Sequence, residues 1–242
     1  MSLAIENVSK SFDEKIVLKD VSFEVKAGEF VSLIGPSGSG KSTLFGMIGG
    51  MLTPNSGDII MSGESIVNKR GHMSYMPQQD SLFPWRTILD NVLLGRELSG
   101  EVNKEKAIEM LEIAGLKDVT HAYPHELSGG MRQRVSFIRA LLCPQNLLCL
   151  DEPFSALDEF TRLDMQKWLL TTWEKYEQSI LFITHNIDEA LFLSDKIVVL
   201  SHSPAVVKEI IEVPFARPRD TSLMLTDEFL EWKRKVINVI QA

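Results

Sequence analysis

Cys143 and Cys149 are the only 2 cysteines in 242 residues, and both stand in apolar surroundings. So few thiols exclude a disulfide framework and fit a reducing compartment. No apolar run approaches the roughly 18 residues that span a bilayer as a helix. The opening residues Met1–Glu6 show neither the basic stretch nor the apolar stretch of a signal peptide. A soluble, cytosolic chain is the expectation. Positive charge is in short supply, with 25 Lys and Arg against 33 Asp and Glu for a net charge of −8. With no basic stripe, nucleic acid is not an expected partner. No sustained heptads are visible and no motif repeats, which argues against long coiled coils and tandem domains. What is present is an apolar content of 44% and a charged content of 24%, enough for one large α/β domain or a domain with a small subdomain.

The most informative stretch is Gly35-Pro36-Ser37-Gly38-Ser39-Gly40-Lys41-Ser42-Thr43. It fits the phosphate-binding loop pattern G-x-x-x-x-G-K-[ST], which arises by chance in on the order of 1% of chains this long. The apolar run Phe30–Ile34 before it reads as a buried strand, and Ser42–Ile48 after it reads as a helix start. That is the strand–loop–helix setting the pattern requires. Gly35, Gly38 and Gly40 let the backbone turn its N–H groups inward, and the helix end adds its positive dipole. Lys41 is then expected to reach the β- and γ-phosphates, and the Ser42 hydroxyl to ligate Mg²⁺.

Along the rest of the chain, residues 2–30 alternate as strands, with Val17, Val21, Phe23 and Val25 on one face. Asp58–Ser62 reads as another short strand, so an antiparallel sheet is expected beside the nucleotide-binding core. For Phe12, taken alone, core packing is the simpler reading. Residues 72–79 read as a strand ending in a polar loop, followed by Leu82-Phe83-Pro84-Trp85-Arg86-Thr87, a buried corner or an exposed docking patch. Helices follow through Ile88, Val92 and Leu93 and through Ala107, Met110, Leu111 and Ala114, the second stopped by Gly115. Ser128 is a fitting N-cap for a helix opened by Gly129 and Gly130. Asn146–Leu150 is a buried strand that ends in Asp151 and Glu152. At the carboxyl end of a parallel strand, Asp151 is placed to bind Mg²⁺ and Glu152 to take a proton from water. Ser179–Thr184 delivers His185 to the same edge, and Lys196–Leu200 reads as the last strand. In the remaining tail, Phe229, Trp232, Val236, Val239 and Ile240 form a helical stripe expected to pack on the domain.

These pieces together resemble the ATP-binding subunit of an ABC transporter over the whole chain. The resemblance implies an α/β P-loop NTPase fold with an N-terminal antiparallel β-subdomain and an α-helical subdomain. Core and β-subdomain would occupy 1–84 and 143–205, the helical subdomain 85–142 and a tail 206–242. It also implies that Gly35–Thr43 form the Walker A loop and that Gln78 touches Mg²⁺ and the attacking water. Leu127–Met131 would be the signature motif, Asp151 the Walker B aspartate, Glu152 the catalytic base and Ser155-Ala156-Leu157-Asp158 the D-loop. His185 would be the switch histidine at the γ-phosphate, and Phe12 the aromatic face under adenine. Met131 stands where Gln is usual and Phe12 where Tyr is usual, which leaves the phosphate contacts of Ser128, Gly129 and Gly130 intact. By the same resemblance, ATP and Mg²⁺ are bound, and ATP is sandwiched between two copies of the chain. The partners implied are separate transmembrane permease subunits at the cytoplasmic face of the inner membrane and, through them, an extracytoplasmic solute-binding protein. Leu82–Thr87 and Ala216-Arg217-Pro218-Arg219 are similar to the nitrate, sulfonate and taurine importer group. The alternative is a soluble or exporter-type ABC ATPase.

Overall fold

The structure is a computed structural model that describes residues 2–100, 102–155, 157–176 and 178–242. Met1 and Ala156 of the expected D-loop lie outside the described residues. Four strands, β1 (Leu3–Phe12), β2 (Lys15–Val25), β4 (Ser56–Met61) and β5 (Glu64–Ser65), make an antiparallel sheet in the order β2-β1-β4-β5. A second sheet has the order β10-β9-β3-β8-β7-β6. Its strands are β3 (Phe30–Ile34), β6 (Ser74–Met76), β7 (Leu147–Asp151), β8 (Ser179–Ile183), β9 (Lys196–Leu200) and β10 (Val207–Glu212). All pairings in this sheet are parallel except that of β10 with β9.

The near-continuous apolar runs of β3, β7 and β8 follow from cover on both faces, as parallel sheets require. On one face Val31, Leu33, Cys149 and Leu181 pack with Leu44 and Phe45 of α1 (Lys41–Ile48) and with Ile5 and Val21 of the antiparallel sheet. On the other, Phe30, Leu148 and Ile180 pack with helices α4 (Gly129–Leu141), α5 (Glu159–Tyr176), α6 (Ile187–Leu193) and α7 (Asp227–Gln241). Helices α2 (Ile88–Ser99) and α3 (Lys104–Ile113) join that second layer through Val92, Leu93, Ala107, Met110 and Leu111. α1 and α4 therefore lie on opposite faces of the sheet. The expected stripe on α7 packs as expected: Phe229 and Val236 are buried, and Trp232, Val239 and Ile240 lean on the same core.

Two expectations are corrected. Leu18, not Val17, joins Val21, Phe23 and Val25 in the core, while Val17 is half-buried. Asp20 takes a left-handed φ of 48°, and the pairing slips beside it: Val8 faces Val21, yet Lys10 faces Leu18. A bulge changes the alternation by one residue, so the side chain before it turns to the other face. Second, Lys196–Leu200 is not the last strand, because β10 follows it at the sheet edge. Its Ile211 is buried between exposed Ile210 and Glu212, the polar alternation of a strand covered on one side only.

Candidate active site

Between β3 and α1 the chain makes a tight loop over residues 35–40. Gly40 sits at φ 86°, and a Cβ there would come within 2.8 Å of the Val17 and Leu18 side chains. Only glycine suits that combination of left-handed backbone and close approach. Lys41 opens α1 nearly buried, and its Nζ donates to the carbonyls of Gly35 (2.8 Å) and Pro36 (2.9 Å) and to Ser39 Oγ (3.4 Å). Burial pulls its ammonium below the usual lysine range, with Glu152 and Asp151 opposing the shift. The loop thus folds around its own lysine. Ser37, Gly38 and Ser42 face solvent, and Gly35, Pro36 and Thr43 are half-buried.

The strand β7 ends at buried Asp151, whose Oδ2 accepts from Ser42 Oγ at 3.3 Å and from Tyr75 OH at 3.1 Å. Burial raises the Asp151 carboxyl above the ordinary range, while the two hydrogen bonds and Lys41 draw it back. The Tyr75 phenol is pushed far up by burial and by Asp151. The next residue, Glu152, has a left-handed φ of 45°, a strained conformation for a non-glycine residue. Beyond that turn its Oε2 meets His185 Nδ1 at 3.3 Å and accepts from Gln78 Nε2 at 3.2 Å. Gln78 also donates to Ser155 Oγ at 3.3 Å. The register explains the convergence. β6, β7 and β8 are adjacent and parallel, Met76 faces Leu150 and Asp151 faces Ile183, so their carboxyl ends deliver Gln78, Glu152 and His185 to one edge. His185 and Gln78 are exposed and Glu152 half-buried, which leaves the group open to a substrate.

Three expected site elements stand apart from this cluster. Ser128 caps α4 by accepting from Met131 N at 3.3 Å, and Ser128 and Gly129 are exposed with Gly130 half-buried. Among the described residues no hydrogen bond links them to the 35–43 loop. Asp158 caps α5, accepting from Thr161 N (3.1 Å) and Thr161 Oγ1 (2.6 Å), bonds that hold its carboxyl below the usual range. Phe12 is 43% exposed at the end of β1, with Lys10 Nζ 5.1 Å from its ring centre, so core packing is not its role. Among the described residues no group of three or more His, Cys, Asp and Glu is placed to hold a metal.

The family model described as ABC transporter matches residues 18–155, the span that holds the phosphate loop, Gln78, the Ser128 helix end and the Asp151–Glu152 pair. The chain belongs to the ABC transporter family. It is an ATP hydrolase of the cassette type, and the cassette fold recurs in solved structures. A dimeric ATP-binding cassette in a post-hydrolysis state, bound to ADP and Pi, matches with a TM-score of 0.74 at 29% identity, over 88% of this chain and 100% of that one. The aliphatic sulfonates import ATP-binding protein of Bacillus cereus (strain ZK / E33L) is 40% identical over 98% of this chain and 95% of its own length. A nitrate import ATP-binding protein of Synechococcus elongatus is 39% identical over 88% of this chain and 80% of its own length. An uncharacterized ABC transporter ATP-binding protein of Methanocaldococcus jannaschii is 38% identical over 100% of this chain and 92% of its own length.

The cassette also carries an aromatic corner between β6 and α2. Trp85 is 71% exposed and stacks on half-buried Phe83, ring centres 5.1 Å apart. Buried Asn91 anchors the loop, donating to the carbonyls of Phe83, Arg86 and Thr87 and accepting from Phe83 N. Arg86 is tied to Glu97 at 2.7 Å, and the corner is buried at Leu82 and exposed at Trp85, its tip. Sequence reasoning missed Tyr75 as a partner of Asp151. The period of β6 sets Tyr75 apart from buried Ser74 and Met76, but only strand pairing brings it to Asp151.

Proposed function

We propose that this cassette hydrolyses ATP to drive import of a small anion, of the sulfonate or nitrate kind, through separate permease subunits. It acts as a pair of copies at the cytoplasmic face of the inner membrane, with cargo reaching the permease from an extracytoplasmic solute-binding protein. The observation that carries the reading is the meeting of Gln78, Glu152 and His185 beside a phosphate loop whose lysine and Asp151 are already buried. The family membership and the importer names of the Bacillus and Synechococcus relatives support the transport half.

In this reading the glycine loop and Lys41 cradle the phosphates, and the open face of Phe12 stacks on adenine. Ser42 Oγ and the Asp151 carboxylate meet at 3.3 Å. With the side-chain oxygen of Gln78 they would offer oxygen ligands and a single carboxylate, which suits a small hard cation shared with phosphates. Those residues would hold Mg²⁺, which when bound neutralises charge on the phosphate oxygens. Glu152 takes the proton of the attacking water, and His185 and Gln78 hold the water and the γ-phosphate in line. Ser128, Gly129 and Gly130 open α4, which covers the face of the sheet opposite α1. We assign them, with the Asp158 loop, to the nucleotide held by the second copy. The stretch 85–142 serves as the helical subdomain that, with the Trp85 corner, receives the permease.

The test is capture of tagged protein from detergent-solubilised membranes, followed by mass spectrometry, with Trp85→Ala in parallel. Recovery of a multi-span permease by the wild type and its loss by Trp85→Ala is the expected result. Recovery of soluble partners alone, ribosomal or repair proteins for instance, keeps the ATPase and overturns the transport.

A further inference from the structure

A second polar cluster lies behind the site, between α5 and α6, and none of the roles above uses it. Glu189 is 6% exposed and Thr184 and Gln166 are each 2% exposed. The Glu189 carboxylate accepts from Thr184 Oγ1 at 2.5 Å and from Gln166 Nε2 at 3.3 Å, and lies 3.9 Å from Arg162 Nε. Arg162 also donates from its guanidinium to the Leu157 carbonyl at 2.9 Å, on the loop that leaves Glu152. Thr184 directly precedes His185, whose Nδ1 is 3.3 Å from Glu152 Oε2. The contacts close a ring. It runs from Glu152 along its loop to Leu157, across Arg162 and Glu189 to Thr184, and through His185 back to Glu152.

Stability alone is a poor reason for this ring. A buried carboxylate is expensive unless fully paired, and apolar packing between two helices is often the more stable choice. The network is also incomplete, since Arg162 Nε and Gln166 Oε1 are buried without a hydrogen-bond partner. Burial drives the Glu189 carboxyl up, against the pull of Thr184, Arg162, His185 and Gln166. An unsatisfied buried polar group in a native network calls for an explanation, and a role in a neighbouring site is one.

We propose that Arg162 and Glu189 are positioning residues that set the spacing of Glu152 and His185, so that displacement of the Glu152 loop is transmitted to the histidine. The inference rests on the roles given above to Glu152 and His185. Glu189→Gln keeps an acceptor for Thr184 but removes the charge facing Arg162, and Thr184→Val removes the hydroxyl at nearly constant shape. Both are expected to lower kcat about tenfold while KM stays within about twofold, the split of a group that acts on the chemical step. In a His185→Ala background, read by single-turnover hydrolysis of radiolabelled ATP, Glu189→Gln should add no further loss. Thermal melts confirm folding first, and if Glu189→Gln does not fold, Thr184→Val and Arg162→Lys carry the same comparison. A wild-type kcat in the folded variants, or an undiminished further loss in the His185→Ala background, overturns the inference. Near-normal turnover by Glu152→Gln would instead overturn the roles beneath it, so the two failures are distinguishable.

Discussion

Asp151 shows at the scale of one residue how function is set against stability. Its carboxylate is buried, and its acid form is favoured by that burial more than hydrogen bonds and Lys41 can offset. The folded chain therefore binds this proton more tightly than the unfolded chain does. Below the unfolded value, both states are protonated and no penalty exists. As pH rises through the raised folded value, the penalty of a buried charge appears in full. Asp151→Asn keeps acceptors for Ser42 and Tyr75 and removes that charge. It is expected to raise the melting temperature of the nucleotide-free protein at pH 7, by an amount that shrinks as pH falls into the carboxylate range, while ATPase activity is lost. Calorimetry across that range checks the sign, and a destabilised variant at pH 7 would show that the carboxylate itself holds the loop. Much at this scale was legible in the sequence. The spacing of Gly35, Gly40, Lys41 and Ser42 identifies a phosphate loop because so few backbones can cradle a phosphate. Tyr75 was not legible, because a tyrosine in a short strand carries no mark of the carboxylate it will meet.

Among the elements, α4 separates local from long-range information best. Ser128 followed by Gly129 and Gly130 reads as a helix start, and Ser128 does cap α4. What that exposed helix end faces cannot be read from its own residues. Ser128→Ala should lower stability by about 1 kcal/mol, the usual loss for an N-cap. If the exposed hydroxyl also serves the second copy's nucleotide, hydrolysis should fall far more than that loss explains, while ATP binding to the chain's own phosphate loop is unchanged. Equal, small losses in both would leave Ser128 a cap and nothing more. The strands divide in the same way. β3, β7 and β8 were legible because burial on both faces makes them continuous apolar runs. β10 was not, because an edge strand alternates and blends into a polar tail. The bulge at Asp20 was equally hidden, since one left-handed residue exchanges Val17 for Leu18 without altering the composition of the strand.

For the whole molecule, the two-faced sheet makes a strong demand. The phosphate loop opens a helix on one face and Ser128 opens a helix on the other, so under the proposed assignment a single copy presents half of each nucleotide site. Glu152→Gln is therefore expected to slow turnover by about 10²–10⁴-fold, the contribution of a positioned general base. It should still form dimers that depend on ATP, seen as a shift in gel filtration. Loss of those dimers with turnover retained would reverse both roles. The sequence by itself determined that the chain binds phosphate, because a phosphate loop needs specific residue types at short, fixed spacings. It also determined the central strands β3, β7 and β8, because cover on both faces makes them continuous apolar runs. Tertiary structure alone decided which of the distant groups meet. Gln78, Glu152 and His185 converge because β6, β7 and β8 are neighbours in register, and the Arg162–Glu189 link exists because α5 packs on α6. Such meetings depend on pairing between segments far apart in the chain, and a local pattern carries no trace of them.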